Sequence, residues 1–130
     1  MFDWKKPTVQ MLGRWQPWHD GHQALFKRCI KKTGQVIIQV RDVQGASGGA
    51  GQDDNPFDWN NVCENIENGL LIDNFKRGID YEIMLVPNIV NITYGRGVGY
   101  AFEEERFDES ITSISATKIR AKLREEKKLT

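Results

Sequence analysis

The segment at residues 13–22, Gly-Arg-Trp-Gln-Pro-Trp-His-Asp-Gly-His, constrains the fold of this chain more than any other stretch. A short apolar run precedes it and an amphipathic pattern follows it, so it joins a strand to a helix. The first turn of a helix offers free backbone N–H groups and the positive end of the helix dipole, which attract phosphate. His19 and His22 fall at this turn, and Gly21 between them lets a ligand approach the backbone. The segment therefore predicts a phosphate site beyond the end of a strand.

Strand and helix patterns alternate along the rest of the chain. The run Val-Ile-Ile-Gln-Val at residues 36–40 is almost continuously apolar, which favours a strand covered on both faces, as in a parallel sheet. A strand, a helix and a second strand in this spacing form a right-handed crossover unit. The predicted elements are strands at residues 8–12, 36–40 and 81–86, a further strand or edge segment at 89–92, and helices at 21–32, at 55–76 and from Ser115 onwards.

This alternation predicts an α/β fold, with a single Rossmann-like three-layer domain over residues 1–130 and a mainly parallel sheet. The ligand of such a fold lies at the carboxyl ends of the strands. Arg41 and Arg96 follow predicted strand ends, where they would meet an acceptor phosphate or a triphosphate. The glycine-rich stretch at residues 45–54 is either a lid over the pocket or an insertion without fixed structure.

Composition narrows the class of protein. Apolar residues make up 39% and charged residues 28% of the chain, which is typical of a globular protein. The 18 basic and 18 acidic residues cancel, so we expect no nucleic-acid partner. No apolar run approaches the roughly 18 residues needed to span a bilayer, and the first residues lack a signal-peptide pattern. With two cysteines inside predicted helices, we expect reduced thiols, a cytoplasmic protein and no membrane partner.

A second motif, Ile-Ser-Ala-Thr-Lys-Ile-Arg, occupies residues 114–120. At the start of a helix, Ser115 and Thr117 lie in the first turn and Arg120 follows one turn later, so hydroxyl, N–H and guanidinium donors converge on an anion. Alone, the pattern is more typical of an ordinary capped, basic helix. Together with the His-Asp-Gly-His motif that ends at His22, it resembles the two signatures of the nucleotidyltransferase superfamily, His-x-Gly-His and Ile-Ser-x-Thr-x-x-Arg, in the same order.

The resemblance implies an enzyme that moves AMP or CMP from ATP or CTP onto a small acceptor bearing a phosphate or phosphonate, with release of pyrophosphate. It places His19 by the α-phosphate, makes His22 a group that steadies the phosphates in the transition state, and gives Ser115, Thr117 and Arg120 to the β- and γ-phosphates. Magnesium would arrive with the nucleotide, held by phosphate oxygens and water without dedicated protein ligands. Small members of the superfamily often dimerise, which implies a homodimer. The alternative interpretation is a non-catalytic nucleotide-binding or sensing module that keeps the same pocket.

Two resemblances disagree about the nucleotide base, so the choice between ATP and CTP stays open. The opening Gly-Arg-Trp-Gln-Pro-Trp resembles archaeal nicotinamide-mononucleotide adenylyltransferases and favours ATP slightly, whereas the chain length and the second motif resemble small cytidylyltransferases. Asn-Pro-Phe at residues 55–57 also resembles the first group. However, Asn-Asn-Val at residues 60–62 stands where that group has Gly-Glu-Arg, which argues against nicotinamide mononucleotide as the acceptor.

Further candidates follow from these positions, and for Tyr94 and Trp59 the alternative is packing in the core. The candidates for the nucleotide are Gly13, Arg14, Trp15, Gly21, Tyr94 and Arg96, and those for the acceptor are Arg41, Asn55 and Trp59.

Overall fold

The computed structural model describes residues 1–43, 56–96 and 99–105. Three strands and two helices alternate in the order β1 (Val9–Gly13), α1 (Asp20–Thr33), β2 (Val36–Arg41), α2 (Trp59–Ile72) and β3 (Tyr81–Val86). The strands form one parallel sheet in the order β1–β2–β3. The predicted α/β class and parallel sheet are therefore confirmed, and the three predicted strands lie within a residue of their observed bounds.

Both helices contribute to one core against the same face of the sheet. In β2, Val36, Ile38 and Val40 are buried, whereas the alternate side chains Ile37, Gln39 and Arg41 are only half-buried. We call the face that carries these alternate side chains the second face. The main core cluster comprises Met11, Trp15, Trp18, Phe26, Cys29, Val36, Ile38, Val40, Val62, Ile66, Leu70, Tyr81 and Ile83.

The described residues thus form two layers, a sheet and one layer of helices. Right-handed crossovers explain this, because successive parallel strands added on the same side place their helices on one face. The predicted helix from Ser115 lies outside the described residues, so the three-layer arrangement stays a prediction.

Helix α1 begins and ends where the local sequence directs. His19 is its N-cap, and Lys31 and Lys32 lie in its last turn, where the negative end of the dipole favours cations. Gly34 ends the helix with φ +86°, and its N–H donates to the carbonyl of Ile30 at 2.7 Å. This left-handed conformation favours glycine, as the sequence indicated.

Helix α2 begins after Asp58, whose side chain accepts a hydrogen bond from the N–H of Asn61 at 2.9 Å. The predicted end near residue 76 is wrong, because the helix stops at Ile72 and Asn74 adopts φ +65°. Phe75 still packs on Phe26 with ring centroids 4.9 Å apart. Phe75 is thus apolar because it packs against the core, and its spacing made the helix look longer in the sequence than it is.

The chain after β3 forms no strand or helix in its described part. Residues 89–92 pair with no strand, so the strand predicted there is wrong, and residues 101–105 form no helical turn. Pro87 lacks the N–H that a continuing ladder needs, and Val90 is 83% exposed. Lys32 binds Glu103 and Glu105, which holds this part of the chain against α1.

A buried glutamine joins the two helices. Gln23 accepts a hydrogen bond from the indole of Trp18 at 2.8 Å and donates to the carbonyl of Gly69 at 2.7 Å and to Asp73 at 2.8 Å. A Cβ atom on Gly69 would lie 2.9 Å from Cδ1 of Trp18. This close approach of α2 to the indole therefore needs glycine at the position.

Gly69→Ala should lower the free energy of unfolding by about 1–3 kcal/mol, because the added methyl overlaps the Trp18 ring. Without that contact, alanine would stabilise a helix by about 1 kcal/mol relative to glycine. Asn68→Ala, at the exposed neighbouring position, is the matched control and should leave stability unchanged or slightly higher. Urea unfolding of the three proteins tests this, and a gain in Gly69→Ala would contradict the packing of Trp18 on α2.

Candidate functional site

Two histidines cap α1 reciprocally at the carboxyl edge of the sheet. The Nδ1 atom of His19 accepts a hydrogen bond from the N–H of Gly21 at 3.0 Å. The Nδ1 atom of His22 accepts one from the N–H of His19 at 3.2 Å. This is the arrangement of a capping box, in which serine or threonine and glutamate or glutamine usually supply the two acceptors. Here both acceptors belong to imidazole rings.

These two hydrogen bonds determine which ring nitrogen carries the proton. A nitrogen that accepts from a backbone N–H is unprotonated, so in the neutral ring the proton lies on the other nitrogen. His19 and His22 are therefore both Nε2–H tautomers. Each ring then carries one N–H donor in addition to the bond that caps the helix.

Aromatic rings surround His22. Its centroid lies 4.7 Å from that of Trp15, 5.4 Å from that of Trp18 and 3.6 Å from that of His19, which stacks on it at 18°. Burial, together with the smaller effect of the neighbouring His19, lowers the pKa of His22 to about 3. Burial also lowers the pKa of His19, although Asp20 opposes the shift. Both imidazoles are therefore neutral at neutral pH and can act on an anion only as hydrogen-bond donors.

The loop between β1 and α1 is fixed by its own buried side chains. Trp15 has φ +54°, a conformation that a bulky residue rarely adopts, and its indole donates to the carbonyl of Gln39 at 3.0 Å. A Cβ on Gly13 would lie 2.9 Å from the Trp15 ring, so glycine permits this packing. The carboxamide of Gln16 donates to the carbonyl of Phe57 and accepts from its N–H, both at 2.9 Å.

Gln16 therefore ties this loop to the residue that precedes the cap of α2. Sequence reasoning gave Gln16 no role, although it lies within the motif. A polar residue between two tryptophans signals a buried side chain that needs partners, but it does not say which partners.

The structure gives the predicted nucleotide-binding residues different surroundings. Gly13, Arg14, His19, Gly21 and His22 lie together, at the end of β1 and the start of α1. Trp15 belongs to the core, 6% exposed, with its indole N–H already bonded. It therefore supports His22, and its ring face is not presented to a nucleotide base.

Two further nucleotide candidates lie along β1. Tyr94 is 54% exposed and stacks on Phe102 at 5.1 Å. With Arg96 it lines a cavity of about 1220 Å³ that runs along β1 and also reaches Trp15. Of the nucleotide candidates in residues 13–22, only Trp15 lines this cavity, so the cavity does not bring the two sets of candidates together.

The two described acceptor candidates belong to different elements. Arg41 ends β2 and its Nη2 donates to the side chain of Asn88 at 2.8 Å. Trp59 opens α2 and packs against the core, which matches the core alternative. Sequence reasoning missed Asn88, because only the folded chain brings it to Arg41. Asn55, Ser115, Thr117 and Arg120 lie outside the described residues.

Across residues 1–43, 56–96 and 99–105, no three His, Cys, Asp or Glu side chains lie together in a way that could hold a metal ion. None of the helices in this part of the chain is long and apolar enough to cross a membrane. No protein-family model matches the chain, and no curated protein matches it either. The chemistry of the capped histidine pair is therefore the main guide to function.

The stability of the fold should decrease as the pH falls from about 6.5 towards 3. The unfolded chain binds a proton on His22 near the ordinary pKa of 6.5, whereas the folded chain binds it only near 3. Within this window the unfolded state holds more protons, so the free energy of unfolding falls by about 1.4 kcal/mol per pH unit from this group. Above pH 6.5 the imidazole is neutral in both states, and its contribution is fully present.

His22→Asn isolates this effect. Its side-chain oxygen takes the place of Nδ1 and still accepts from the N–H of His19, but it does not titrate. Urea unfolding at intervals between about pH 7 and pH 4 should give a shallower dependence for this variant than for the natural chain. If the free energy of unfolding changed with pH equally in the two proteins, this would contradict a His22 that is buried and neutral in the folded state.

Proposed function

We propose that this protein is a nucleotidyltransferase that moves AMP or CMP from ATP or CTP, with ATP slightly favoured, onto a small acceptor bearing a phosphate or phosphonate. The observation that supports it most is the stacked, neutral histidine pair at the start of α1. Both Nδ1 atoms are bonded to the backbone, so both Nε2–H groups are donors for phosphoryl oxygens. They act beside the positive end of the helix dipole, at the sheet edge where α/β folds bind ligands.

The proposed reaction is an in-line displacement at the α-phosphorus. An anionic oxygen of the acceptor forms a bond to this phosphorus, the bond to the bridging oxygen of the β-phosphate breaks, and pyrophosphate leaves with the electron pair. No proton has to be removed from such an oxygen, so the site needs no general base. Catalysis then consists of positioning and stabilisation of charge on the equatorial oxygens, which the Nε2–H groups of His19 and His22 supply.

Magnesium bound by the phosphate oxygens would lower the charge of the triphosphate and of the leaving pyrophosphate. Arg14, at the end of β1, would contact the nucleotide. Ser115, Thr117 and Arg120 would hold the β- and γ-phosphates, as the resemblance of their motif implies.

The proposal includes a third layer for the domain. The second face of the sheet carries the partly buried apolar side chains Leu12, Ile37 and Met84, which a Rossmann-like domain covers with helices. The helix predicted from Ser115 would pack there. Its first turn and that of α1 would then both lie at the carboxyl edge and face one triphosphate.

Purified protein should release pyrophosphate when it is given ATP or CTP with magnesium and a panel of phosphorylated alcohols and alkylphosphonates. A coupled pyrophosphatase assay measures the release. Each nucleotide is tested with each acceptor and without an acceptor, so that hydrolysis is separated from transfer. Nucleotide binding without turnover in every combination would instead support the non-catalytic binding module.

His19→Asn should lower kcat by roughly 100- to 1000-fold, the usual effect of losing one donor to a developing charge. The asparagine oxygen takes the place of Nδ1 and keeps the cap, since asparagine is among the best N-cap residues, but the Nε2–H is lost. His19→Ala loses both functions and should also be less stable by about 1 kcal/mol. Undiminished activity in a folded His19→Asn protein would exclude His19 from the site.

A further inference from the structure

A small cavity of about 430 Å³ lies at the carboxyl end of β2, next to the segment that follows β3. It has the size of a small-molecule site. Most of its walls are aliphatic, and Arg41 is the one charged residue among the described residues that line it. The lining residues are Leu12, Arg41, Ile89, Val90, Asn91 and Ile92.

The guanidinium of Arg41 is held in place but incompletely bonded. Its Nη2 donates to Oδ1 of Asn88 at 2.8 Å, which orients the plane of the group. Its Nε is shielded from solvent and has no hydrogen-bond acceptor in the described part of the chain. A shielded donor of a charged group normally has a partner. None of the ion pairs among the described residues involves Arg41, so its charge is also unbalanced there.

The chemistry of this group selects an anion with more than one oxygen. Two N–H groups along one edge of a guanidinium can bind two oxygens of a phosphate, phosphonate or carboxylate at once. The carboxamide of Asn91 offers a second donor at the wall of the cavity. The aliphatic side chains around these two polar groups suit a short carbon chain better than a hydroxylated sugar ring.

The cavity and the histidine pair both lie at the carboxyl edge of the sheet, beside the neighbouring strands β2 and β1. Val40 of β2 pairs with Gly13 of β1. Arg41 comes directly after Val40, and the loop that leads to His19 comes directly after Gly13. Paired strands lie roughly 4.8 Å apart. Arg41 belongs to the second face, whereas α1 lies over the first, so the two groups can hold different substrates at the same edge.

We infer that this cavity is the acceptor subsite of the proposed transferase, and that the acceptor is a small alkylphosphonate or alkyl phosphate whose anionic group binds Arg41. The inference rests on the proposed function and specifies its second substrate. Two oxygens of the bound group contact the guanidinium. The third forms the bond to the α-phosphorus of the nucleotide, the bond to the β-phosphate oxygen breaks, and pyrophosphate leaves with the electron pair without any proton transfer.

Ethylphosphonate binding without nucleotide tests the subsite separately from catalysis. Titration of the full chain, followed by calorimetry or by amide chemical shifts, should show saturable binding. Arg41→Gln should weaken it roughly tenfold to a hundredfold, the usual range for a lost charged hydrogen-bonding partner. The matched control is Arg28→Gln, which removes an arginine of α1 that forms an ion pair with Glu105. This variant should bind normally. Absence of binding to the natural chain, or equal binding by Arg41→Gln, would overturn the subsite.

Asn91→Asp provides an independent variant. Asn91 is exposed, so the substitution should leave folding intact, as circular dichroism can verify. The new carboxylate would repel the phosphonate and weaken its binding severalfold or more. If this variant bound as tightly as the natural chain, the bound anion could not lie in this cavity.

Steady-state kinetics separates failure of the subsite from failure of the proposed function. If pyrophosphate is released, Arg41→Gln should raise the KM for ethylphosphonate at least tenfold and leave the KM for the nucleotide unchanged. A rise in the nucleotide KM alone would move Arg41 to the nucleotide site and overturn the inference. Arg41-dependent phosphonate binding without pyrophosphate release would instead keep the anion site and overturn the transferase.

Discussion

Two hydrogen bonds from backbone N–H groups to histidine Nδ1 atoms underlie the rest of this structure. They satisfy donors at the start of α1 that would otherwise lack partners, and they fix the tautomers of His19 and His22. A helix capped by serine and glutamate would be equally well formed, but it would not carry two N–H donors on stacked rings. In this chain the group that begins the helix is also the group available to a phosphate, so helix formation and site chemistry depend on the same side chains.

The aromatic packing around this pair keeps an irregular loop in one conformation. Trp15 occupies a left-handed backbone conformation because its ring fills the space over Gly13 and its indole is bonded to β2. Gln16 binds the chain just before α2 through both polar atoms of its carboxamide. The same packing removes water from His22 and keeps it neutral. The loop is thereby organised before any ligand binds, which is the condition for donors to stabilise a developing charge effectively.

Local patterns predicted most of the described fold, and the errors arose where a distant residue decided the outcome. Strands, helix starts and the stop at Gly34 follow from periodicity and capping chemistry, which neighbouring residues determine. Phe75 extended the apolar pattern of α2 because it packs on Phe26, and residues 89–92 have the composition of a strand without a partner. The histidine spacing pointed to a phosphate site. Whether Trp15 would face a base or the core, and which residue would hold Arg41, depended on contacts between separate strands and loops.

In the proposed site, hydrogen-bond donation and positive charge come from different side chains. A cationic imidazole would bind an anion strongly, but it would lose its proton above its pKa and its affinity would vary with pH. With a pKa lowered to about 3, His22 stays neutral and keeps its Nε2–H donor at any pH from mildly acidic upwards. Positive charge must then come from groups that stay ionised, and a guanidinium does so throughout this range. The chain has no net formal charge to attract anions as a whole, so in the proposed site the placement of single arginines such as Arg41 at the carboxyl edge would decide where an anion binds. A pocket built in this way would distinguish its ligands by the position of their oxygens, because the groups on the protein that bind them keep their protonation states.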